Sequence, residues 1–256
     1  MSIPTRAQLT EPPIWAPLDP PFLTKEQMVE VDRAMVEDYG ITLIQMMENA
    51  GRHLAELGRV RFLNGDAGGR RAFVLAGSGG NGGGALVCAR HLANWGADVA
   101  VFLSKRPVDF DGVPAHQLRI IEHLGLPVGG VEDLPDDAEI DLILDGLIGY
   151  SLRGAPRGPA AEMICWANRQ KAPILALDTP SGLDTTTGEA RPPTVCAAAT
   201  LTLALPKVGF SMPEAASHIG ELYLADISVP PGLYDALNLG VDVRRLFAHH
   251  PIVRLR

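Results

Sequence analysis

The sequence predicts an α/β fold in which helices cover both faces of a mostly parallel sheet. Short apolar runs, which are typical of buried strands, alternate along the chain with segments of helical periodicity. The first of these runs ends in glycines, and two later ones end on an aspartate. The chain has 256 residues and no internal stretch of linker composition, so one domain is expected over residues 22–240.

Two helices are predicted ahead of the first strand. Residues 1–21 contain six prolines, which favour an extended N-terminal arm. Thr24 is then expected to begin a helix, because Gln27 follows three positions later as a capping box requires. Apolar residues recur at helical spacing as far as Gly40, and a second helix is predicted over 42–59.

From residue 72 onward, predicted strands and helices alternate. Strands are expected at 72–77, 98–103, 140–146, 173–178, 200–206 and 221–227, and helices at 85–96, 114–124 and 159–170. Residues 241–256 are expected to form a C-terminal tail. Ligands of a parallel sheet bind beyond the carboxyl ends of its strands, so a site is expected among the loops that follow residues 76, 103, 145 and 178.

Composition narrows the range of partners. The formal net charge is −8, so the surface is expected to repel nucleic acid and anionic membranes. No run of about 18 apolar residues is present to span a membrane, and the proline-rich start is unlike a signal peptide. The three cysteines form no C-x-x-C pair and are interpreted as buried, reduced thiols of a cytoplasmic protein.

The glycine-rich segment GSGGNGGG (77–84) joins a predicted strand to a predicted helix. Glycines let a backbone approach a phosphate closely, and a helix N-terminus offers free N–H groups and partial positive charge. The segment therefore predicts phosphate binding, with a ligand-free tight turn as the alternative. A dehydrogenase is disfavoured, because the next strand runs into Lys105 and Arg106 instead of an acid that would hold a ribose, although Arg106 could face a 2′-phosphate. A P-loop is excluded because no Gly-Lys-Ser/Thr closes the motif.

Two aspartates end predicted strands. Asp145 begins the segment DGLIGYSLRG (145–154), and Asp178 begins DTPSGLDTTTG (178–188), which also holds Ser181. Because parallel strands end at one edge of a sheet, the two acids can converge there and suit general acid–base catalysis or a metal site. Oxygen ligands of this kind suit a hard cation rather than zinc. A capping or turn-forming role is the alternative for Asp145.

Three further polar residues are weaker candidates. Glu48 and Asn49, in MMENAG (46–51), lie on an otherwise apolar helix. They could reach a site or a dimer partner, or they could form a buried cap. Lys207, in ALPKVGF, follows a strand and could contact an anion, but a surface position is favoured.

Five segments occur in order: MENAG (47–51), the glycine-rich segment with LVCARHL (86–92), DGLIGYSLRG, DTPSGLD and LPKVGF (205–210). Together they resemble the NAD(P)H-hydrate epimerase family, the YjeF N-terminal domain, over most of the chain. The resemblance implies a three-layer αβα Rossmann-like sandwich with a mostly parallel central sheet, which is usually a homodimer. It also implies an enzyme that interconverts the R and S hydrates of NADH and NADPH.

The resemblance further implies the residues of the site. One potassium ion per subunit would be bound by Asn81, Asp145 and Ser181. Hydrated NADH or NADPH would contact Gly80, Asn81, Gly82, Gly83 and Gly84, then Gly149, Tyr150, Ser151, Leu152, Arg153, Gly154 and Ala155, and finally Asp178. Asp178 would move the proton at the hydrated carbon.

The glycine-rich segment departs from the family's usual Gly-Pro-Gly-Asn-Asn-Gly-Gly-Asp-Gly. The replacements are Ser78, Gly80, Gly84 and Ala85, so the backbone cradle is kept and the carboxylate at position 84 is lost. Two alternatives to an epimerase therefore stay open. One is a divergent isomerase or hydratase for another small molecule, and the other is a non-catalytic dimerising or binding module. An epimerase would depend on a separate hydrate dehydratase to complete the repair.

Overall fold

The computed structural model describes residues 21–236 and 245–256, so the proline-rich arm predicted for 1–21 lies almost wholly outside the described residues. The helices are α1 (Lys25–Glu37), α2 (Leu43–Arg61), α3 (Gly80–Asn94), α4 (Gly112–His123), α5 (Gly158–Arg169), α6 (Ala216–Ile219) and α7 (Pro231–Ala236). The strands are β1 (Arg71–Ala76), β2 (Asp98–Leu103), β3 (Val128–Gly129), β4 (Leu142–Gly146), β5 (Ile174–Leu177), β6 (Ala199–Leu203), β7 (Glu221–Ala225) and β8 (Ile252–Arg254).

Within the described ranges, the strands form one sheet in the order β3-β2-β1-β4-β5-β6-β7-β8. Neighbouring strands are parallel except for β7 and β8, which are antiparallel. The chain moves outward from β1 to β3 and then returns to the other side of β1 at β4, so the strand order reverses between β1 and β4. In folds of this class, ligands bind at the carboxyl ends of the strands where such a reversal occurs.

Alternate residues of the strands face two separate hydrophobic cores. In β1, Val74 and Ala76 pack against helices α1 to α4, while Phe73 and Leu75 face the side covered by α5. This alternation is the period of two expected for a strand that is buried on both faces. On the α5 side, the ring of Phe73 stacks on that of Trp166 at a centroid distance of 6.1 Å. The predicted αβα sandwich with a mostly parallel sheet is confirmed.

The N-terminal helices follow their sequence signals closely. The Thr24 hydroxyl accepts a hydrogen bond from the Gln27 backbone N–H at 3.2 Å, and the Gln27 side-chain oxygen accepts one from the Thr24 N–H at 2.9 Å. The predicted capping box is therefore present. Helix α3 differs from its prediction, because it begins at Gly80 rather than at residue 85. Gly80 to Gly84 thus form its first turn.

The C-terminal residues differ from the predicted tail at 241–256. Within the described part, Ile252–Arg254 form β8, which pairs with β7, and the side chains of Ile252 and Val253 are buried. An apolar run of this length is too short to be distinguished from a loop by its periodicity, and the same holds for β3.

Two smaller expectations have different outcomes. None of the helices in the described ranges is long and apolar enough to cross a membrane. The expectation of three buried thiols is wrong, because Cys88 is buried whereas Cys165 and Cys196 are exposed, although all three are free.

Candidate active site

A cavity of about 590 Å³ opens at the carboxyl ends of β1, β4 and β5, beside the point where the strand order reverses. Its apolar walls come largely from α1 and α2, which contribute Met28, Leu43, Met46 and Met47. Polar groups enter from the loops after these three strands, and the loop after β2 adds Ser104 and Lys105. A concave, mostly apolar cavity of this size with a few convergent polar groups is typical of a small-molecule site.

The glycines of the segment 77–84 have two different roles. A Cβ atom at Gly77 would lie 2.0 Å from the Leu147 carbonyl oxygen, and one at Gly82 would lie 1.6 Å from the Gly77 carbonyl oxygen. These positions need glycine because the backbone packs tightly. Gly79 and Gly80 both line the cavity, and a Cβ atom at either would meet nothing within 4 Å. Only this part of the segment leaves open space for a ligand.

The N-terminus of α3 faces this open space. The first intrahelical bond runs from the Gly83 N–H to the Gly79 carbonyl at 3.0 Å. The N–H groups of Gly80, Asn81 and Gly82 precede it and have no partner inside the helix. Together with the partial positive charge of a helix N-terminus, they form a potential anion site.

Gly84 lies deeper in the protein than the open end of the segment. It is buried, and a Cβ atom there would lie 2.7 Å from Cδ2 of Leu177, whose side chain is itself buried. Leu177 therefore fills the space beside Gly84, next to the apolar wall formed by Ala50. The carboxylate that is lost at position 84 is thus replaced by an apolar surface.

Asp145 and Ser181 form a buried hydrogen-bond network behind the cavity. The Ser181 hydroxyl donates to Oδ1 of Asp145 at 2.6 Å, and the Ser181 N–H donates to Oδ2 at 2.8 Å. The Leu147 N–H donates to Oδ1 at 3.1 Å, and the Ile148 N–H donates to the Ser181 hydroxyl at 2.8 Å. The network ties the loop after β4 to the loop after β5.

The Asp145 carboxyl has no cationic side-chain partner in the described part of the chain. Burial raises its pKa, and only the hydrogen bonds from Ser181 and from the Leu147 N–H oppose this effect. A fully buried carboxylate without a counter-charge is unfavourable unless a cation accompanies it.

Asn81 supplies a further oxygen close to this network. Its Nδ2 donates to the Leu177 carbonyl at 2.7 Å, which fixes the orientation of the amide. Its Oδ1 lies against Gly149, where a Cβ atom would approach it to 2.8 Å. Oxygen ligands from Asn81, Asp145 and Ser181 suit a hard monovalent or divalent cation. Among the described residues, no group of three or more His, Cys, Asp or Glu side chains could hold a metal ion.

Asp178 lies on the cavity wall at the end of β5, in the left-handed region of backbone conformation with a φ of 63°. Its Oδ1 accepts a short hydrogen bond from Nζ of Lys207 and a longer one from the Leu203 N–H at 3.2 Å. Lys207 also donates to the Thr202 hydroxyl at 2.9 Å and to the Leu203 carbonyl at 3.0 Å. Within the described residues, the hydrogen bonds found for the Asp178 carboxylate all end on Oδ1, which leaves Oδ2 for a ligand.

A second carboxyl group reaches the cavity from α1. The Tyr150 hydroxyl, on the loop after β4, donates to Oδ2 of Asp32 at 2.5 Å, and both residues line the cavity. This contact joins the N-terminal helix to a loop 118 positions away in sequence.

The structure brings part of the expected site together. The predicted substrate contacts that line the cavity are Gly80, Asn81, Gly84, Gly149, Tyr150, Ser151 and Asp178. Gly82 and Gly83 are buried in the first turn of α3, and Leu152, Arg153, Gly154 and Ala155 lie outside the cavity wall. The predicted cation ligands Asn81, Asp145 and Ser181 surround one loop, 146–149.

Two of the weaker candidates make contacts within the chain and do not reach the cavity. Glu48 receives two hydrogen bonds from Arg90 at 2.5 and 2.6 Å, and Asn49 makes a contact of 3.5 Å with Ser228. Neither residue lines the cavity. The surface position favoured for Lys207 is wrong, because its side chain is fully buried.

Asp32 is not among the residues predicted from the sequence, although its position on α1 is unusual for an acid. It lies four residues after Met28 and three before Met35, on the face of α1 that is otherwise apolar. Because Asp32 lies in the middle of α1, it cannot cap the helix, and an acid on an apolar helix face is the kind of exception that indicates a functional site.

Comparison with known proteins gives a consistent result. The family model described as YjeF-related protein N-terminus matches residues 43–209. The chain is 44% identical over 234 residues to a protein of Dehalogenimonas lykanthroporepellens named NAD(P)H-hydrate epimerase, covering 91% of this chain and 92% of that protein. It is 34% identical to a protein of the same name from Rhodopirellula baltica, covering 82% of this chain and 85% of that protein.

Two other similarities concern a longer protein and a solved structure. The bifunctional NAD(P)H-hydrate repair enzyme Nnr of Moorella thermoacetica is 37% identical over 83% of this chain, but the match spans only 41% of that protein. The crystal structure of the yeast protein ynu0 (YNL200c) superposes with a TM-score of 0.76 at 26% identity, covering 91% of this chain and 99% of that one.

Proposed function

The chain belongs to the YjeF-related protein N-terminus family, and from this premise we propose that it is an epimerase that interconverts the R and S hydrates of NADH and NADPH. One structural observation carries the proposal. Asp178, a carboxylate with one free oxygen, shares a cavity with the open N-terminus of α3. The site therefore combines a group that can transfer protons with a group that can bind phosphate.

The chemistry of the substrate defines what the site has to do. A dihydronicotinamide ring contains an enamine, so water adds with its hydroxyl on the ring carbon next to nitrogen. The resulting carbon carries both a nitrogen and a hydroxyl group. Loss of the hydroxyl as water gives a planar C=N⁺ cation, and water that returns to the other face gives the opposite configuration. No electrons are transferred to or from another molecule.

The residues around the cavity suit these requirements. The N–H groups at the start of α3 would bind the pyrophosphate, and the methionine-rich wall from α1 and α2 would cover the ring. Asp178 would give a proton to a hydroxyl group that leaves, or take one from a water molecule that enters. Lys207 would hold the Asp178 carboxyl group in place through Oδ1, so that Oδ2 points to the ligand.

A potassium ion is a further part of the proposal. Asn81, Asp145 and Ser181 offer oxygen atoms, and the buried Asp145 carboxylate lacks another counter-charge in the part of the chain described here. When bound, the ion would supply positive charge beside the phosphate-binding N-terminus of α3. The residues themselves would fix the loop after β4, which carries Gly149 and Tyr150 to the cavity.

The cellular setting is also proposed. The name of the Moorella protein refers to two activities in one chain, so we expect this epimerase to work together with a hydrate dehydratase. We further expect a homodimer in the cytoplasm, where free thiols such as Cys165 and Cys196 stay reduced.

The proposed activity has a direct test. The purified protein is incubated with the R hydrate of NADPH and a dehydratase that consumes only the S hydrate. Complete consumption of the hydrate supports the proposal, and consumption that stops at the S fraction, at the rate of spontaneous epimerisation, contradicts it. The same assay with NADH hydrate compares the two cofactors.

A further inference from the structure

The contact between Asp32 and Tyr150 has no role in the proposed phosphate site or in the proposed cation site. Asp32 comes from α1 and Tyr150 from the loop after β4, and their side chains meet on the cavity wall at 2.5 Å. Both side chains are half-buried, so they are accessible from the cavity and screened from bulk water. A phenol and a carboxyl group at this distance form a unit that can donate or accept a proton.

The electrostatic surroundings distinguish this unit from a surface contact. Burial raises the pKa of Asp32, the hydrogen bond from Tyr150 lowers it, and the nearby charges of Asp178 and Lys207 act on it in opposite directions. Burial also raises the pKa of Tyr150, and the carboxylates of Asp32 and Asp178 add to this effect. Burial also raises the pKa of Tyr234 in α7, and the charges of Asp226 and Asp32 add to this effect. The carboxyl groups of Asp32 and Asp178 both line the same cavity.

Epimerisation at a hydrated carbon involves both faces of the ring. The hydroxyl group leaves from one face, and water must return to the other. A single acid–base group could serve both faces only if the planar cation turned over inside the cavity. Two groups on different walls would make this rotation unnecessary.

If the chain is the proposed epimerase, we propose that Asp32 and Tyr150 form a second proton-transfer unit, which acts on the face of the hydrated ring that is turned away from Asp178. In one direction, Asp178, the first unit, donates a proton to the hydroxyl group, the C–O bond breaks, and the nitrogen lone pair forms the C=N⁺ bond. A water molecule then attacks the opposite face, the C=N⁺ electron pair returns to nitrogen, and the second unit takes the proton. One proton is given and one is taken. Before the next cycle in the same direction, the second unit passes its proton to solvent and the first unit takes one from solvent.

With two units, the rate of oxygen exchange and the rate of inversion should respond differently when one unit is removed. If a single unit served both faces, its removal should make both rates fall together. Loss and return of water on the same face exchanges the hydroxyl oxygen with solvent without inversion. Return on the other face gives inversion. With only one unit working, exchange persists for one diastereomer, whereas inversion is lost.

The test measures both rates in H₂¹⁸O with the separated R and S hydrates of NADPH, after subtraction of the spontaneous rates. Asp32→Asn and Tyr150→Phe keep the shapes of their side chains, and Asp178→Asn removes the other unit. Glu37→Gln changes an exposed acid on the same helix and serves as the control. Thermal unfolding shows whether each variant is folded.

In Asp32→Asn and Tyr150→Phe, we expect inversion to fall by about 10²–10⁴-fold, while oxygen exchange persists for one diastereomer. In Asp178→Asn, exchange should persist for the other diastereomer. If exchange of both diastereomers and inversion fall by the same factor in Asp32→Asn and Tyr150→Phe, or if neither falls, the second unit is refuted. A wild-type protein without epimerase activity would contradict the proposed function instead.

Discussion

Lys207 and Asp178 form an ion pair that is almost completely removed from solvent, with 1% and 4% of their side chains exposed. The pair joins the end of β5 to the segment after β6 at the edge of the cavity. Removal of one partner from a buried pair leaves the other charge without compensation, which is strongly destabilising. The pair is therefore expected to affect stability as well as catalysis.

Asp178→Asn should lower the free energy of unfolding by about 3–5 kcal/mol, because it leaves the Lys207 ammonium group buried and unpaired. Asparagine also tolerates the left-handed backbone of this position, so the loss would report on charge rather than on the main chain. The double variant Asp178→Asn/Lys207→Met should recover much of the stability without recovering inversion of the hydrate. Urea unfolding of both single variants and the double variant completes the cycle, and additive effects would show that the pair is not coupled.

The two members of this pair differ in how well the sequence predicts them. Asp178 follows a four-residue buried strand, and the edge rule for parallel sheets indicates a site at such a position. Lys207 lies 29 positions later and carries no local signal of burial. Its burial depends on the neighbouring strand and on an acid that only the folded chain brings to it.

The glycines of the segment 77–84 provide a second prediction. Gly82→Ala should destabilise the protein by about 3 kcal/mol or more, because its Cβ atom would overlap the Gly77 carbonyl oxygen at 1.6 Å. Gly80→Ala should keep or slightly raise stability, because open space surrounds the new methyl group and alanine favours a helix. The methyl group would nevertheless occupy the cavity at the start of α3, so KM for the hydrate should rise. Chemical denaturation and steady-state kinetics of both variants test this division.

The sequence predicts the position of this segment. It does not predict which of its glycines are needed for close packing and which leave space for a ligand. Six glycines in eight residues suggest one phosphate loop, whereas the buried glycines among them are required by close packing against Leu147, Met47 and Leu177. Those neighbours come from α2 and from the ends of β4 and β5, so no local pattern identifies them. The fold is predicted more completely, because its strands and long helices depend on hydrophobic periodicity.

Potassium binding gives a third prediction. At a potassium concentration ten times the Kd, the protein should gain about 1.4 kcal/mol of stability, or roughly 3–6 °C in Tm for a chain of this size. Thermal unfolding is compared in potassium, sodium and choline chloride at equal ionic strength. Asp145→Asn removes the buried charge and should abolish the difference between potassium and choline. An equal Tm of the wild-type protein in potassium and choline would argue against the cation site.

Glu221 provides a fourth prediction, which concerns pH and lies far from the cavity. Arg61 donates two hydrogen bonds of 2.8 Å to its carboxylate, and the Tyr223 hydroxyl donates a third, also of 2.8 Å. Arg254 of β8 adds an ion pair at 3.4 Å. These contacts, with that of Arg61 the largest, lower the pKa of Glu221 from 4.5 to about 2. The carboxylate thus links the end of α2 to β7 and to the edge strand β8.

A lowered pKa in the folded state means that the ionised carboxylate stabilises the fold at pH values above its unfolded pKa. This contribution should be complete above pH 4.5 and should disappear as the pH falls towards about 2. At pH 7, Glu221→Gln should cost about 1.5 kcal/mol, the lower end of the range for hydrogen bonds to charged groups, because 22% of the side chain is exposed. Urea unfolding from pH 7 to pH 2 measures the free energy of unfolding of the wild-type protein and of Glu221→Gln. The difference between the two free energies should shrink below pH 4.5. Glu162→Gln, which changes an exposed glutamate of α5, should show no such convergence. A difference that stays constant down to pH 2 would mean that the Arg61 contact does not depend on the charge of Glu221.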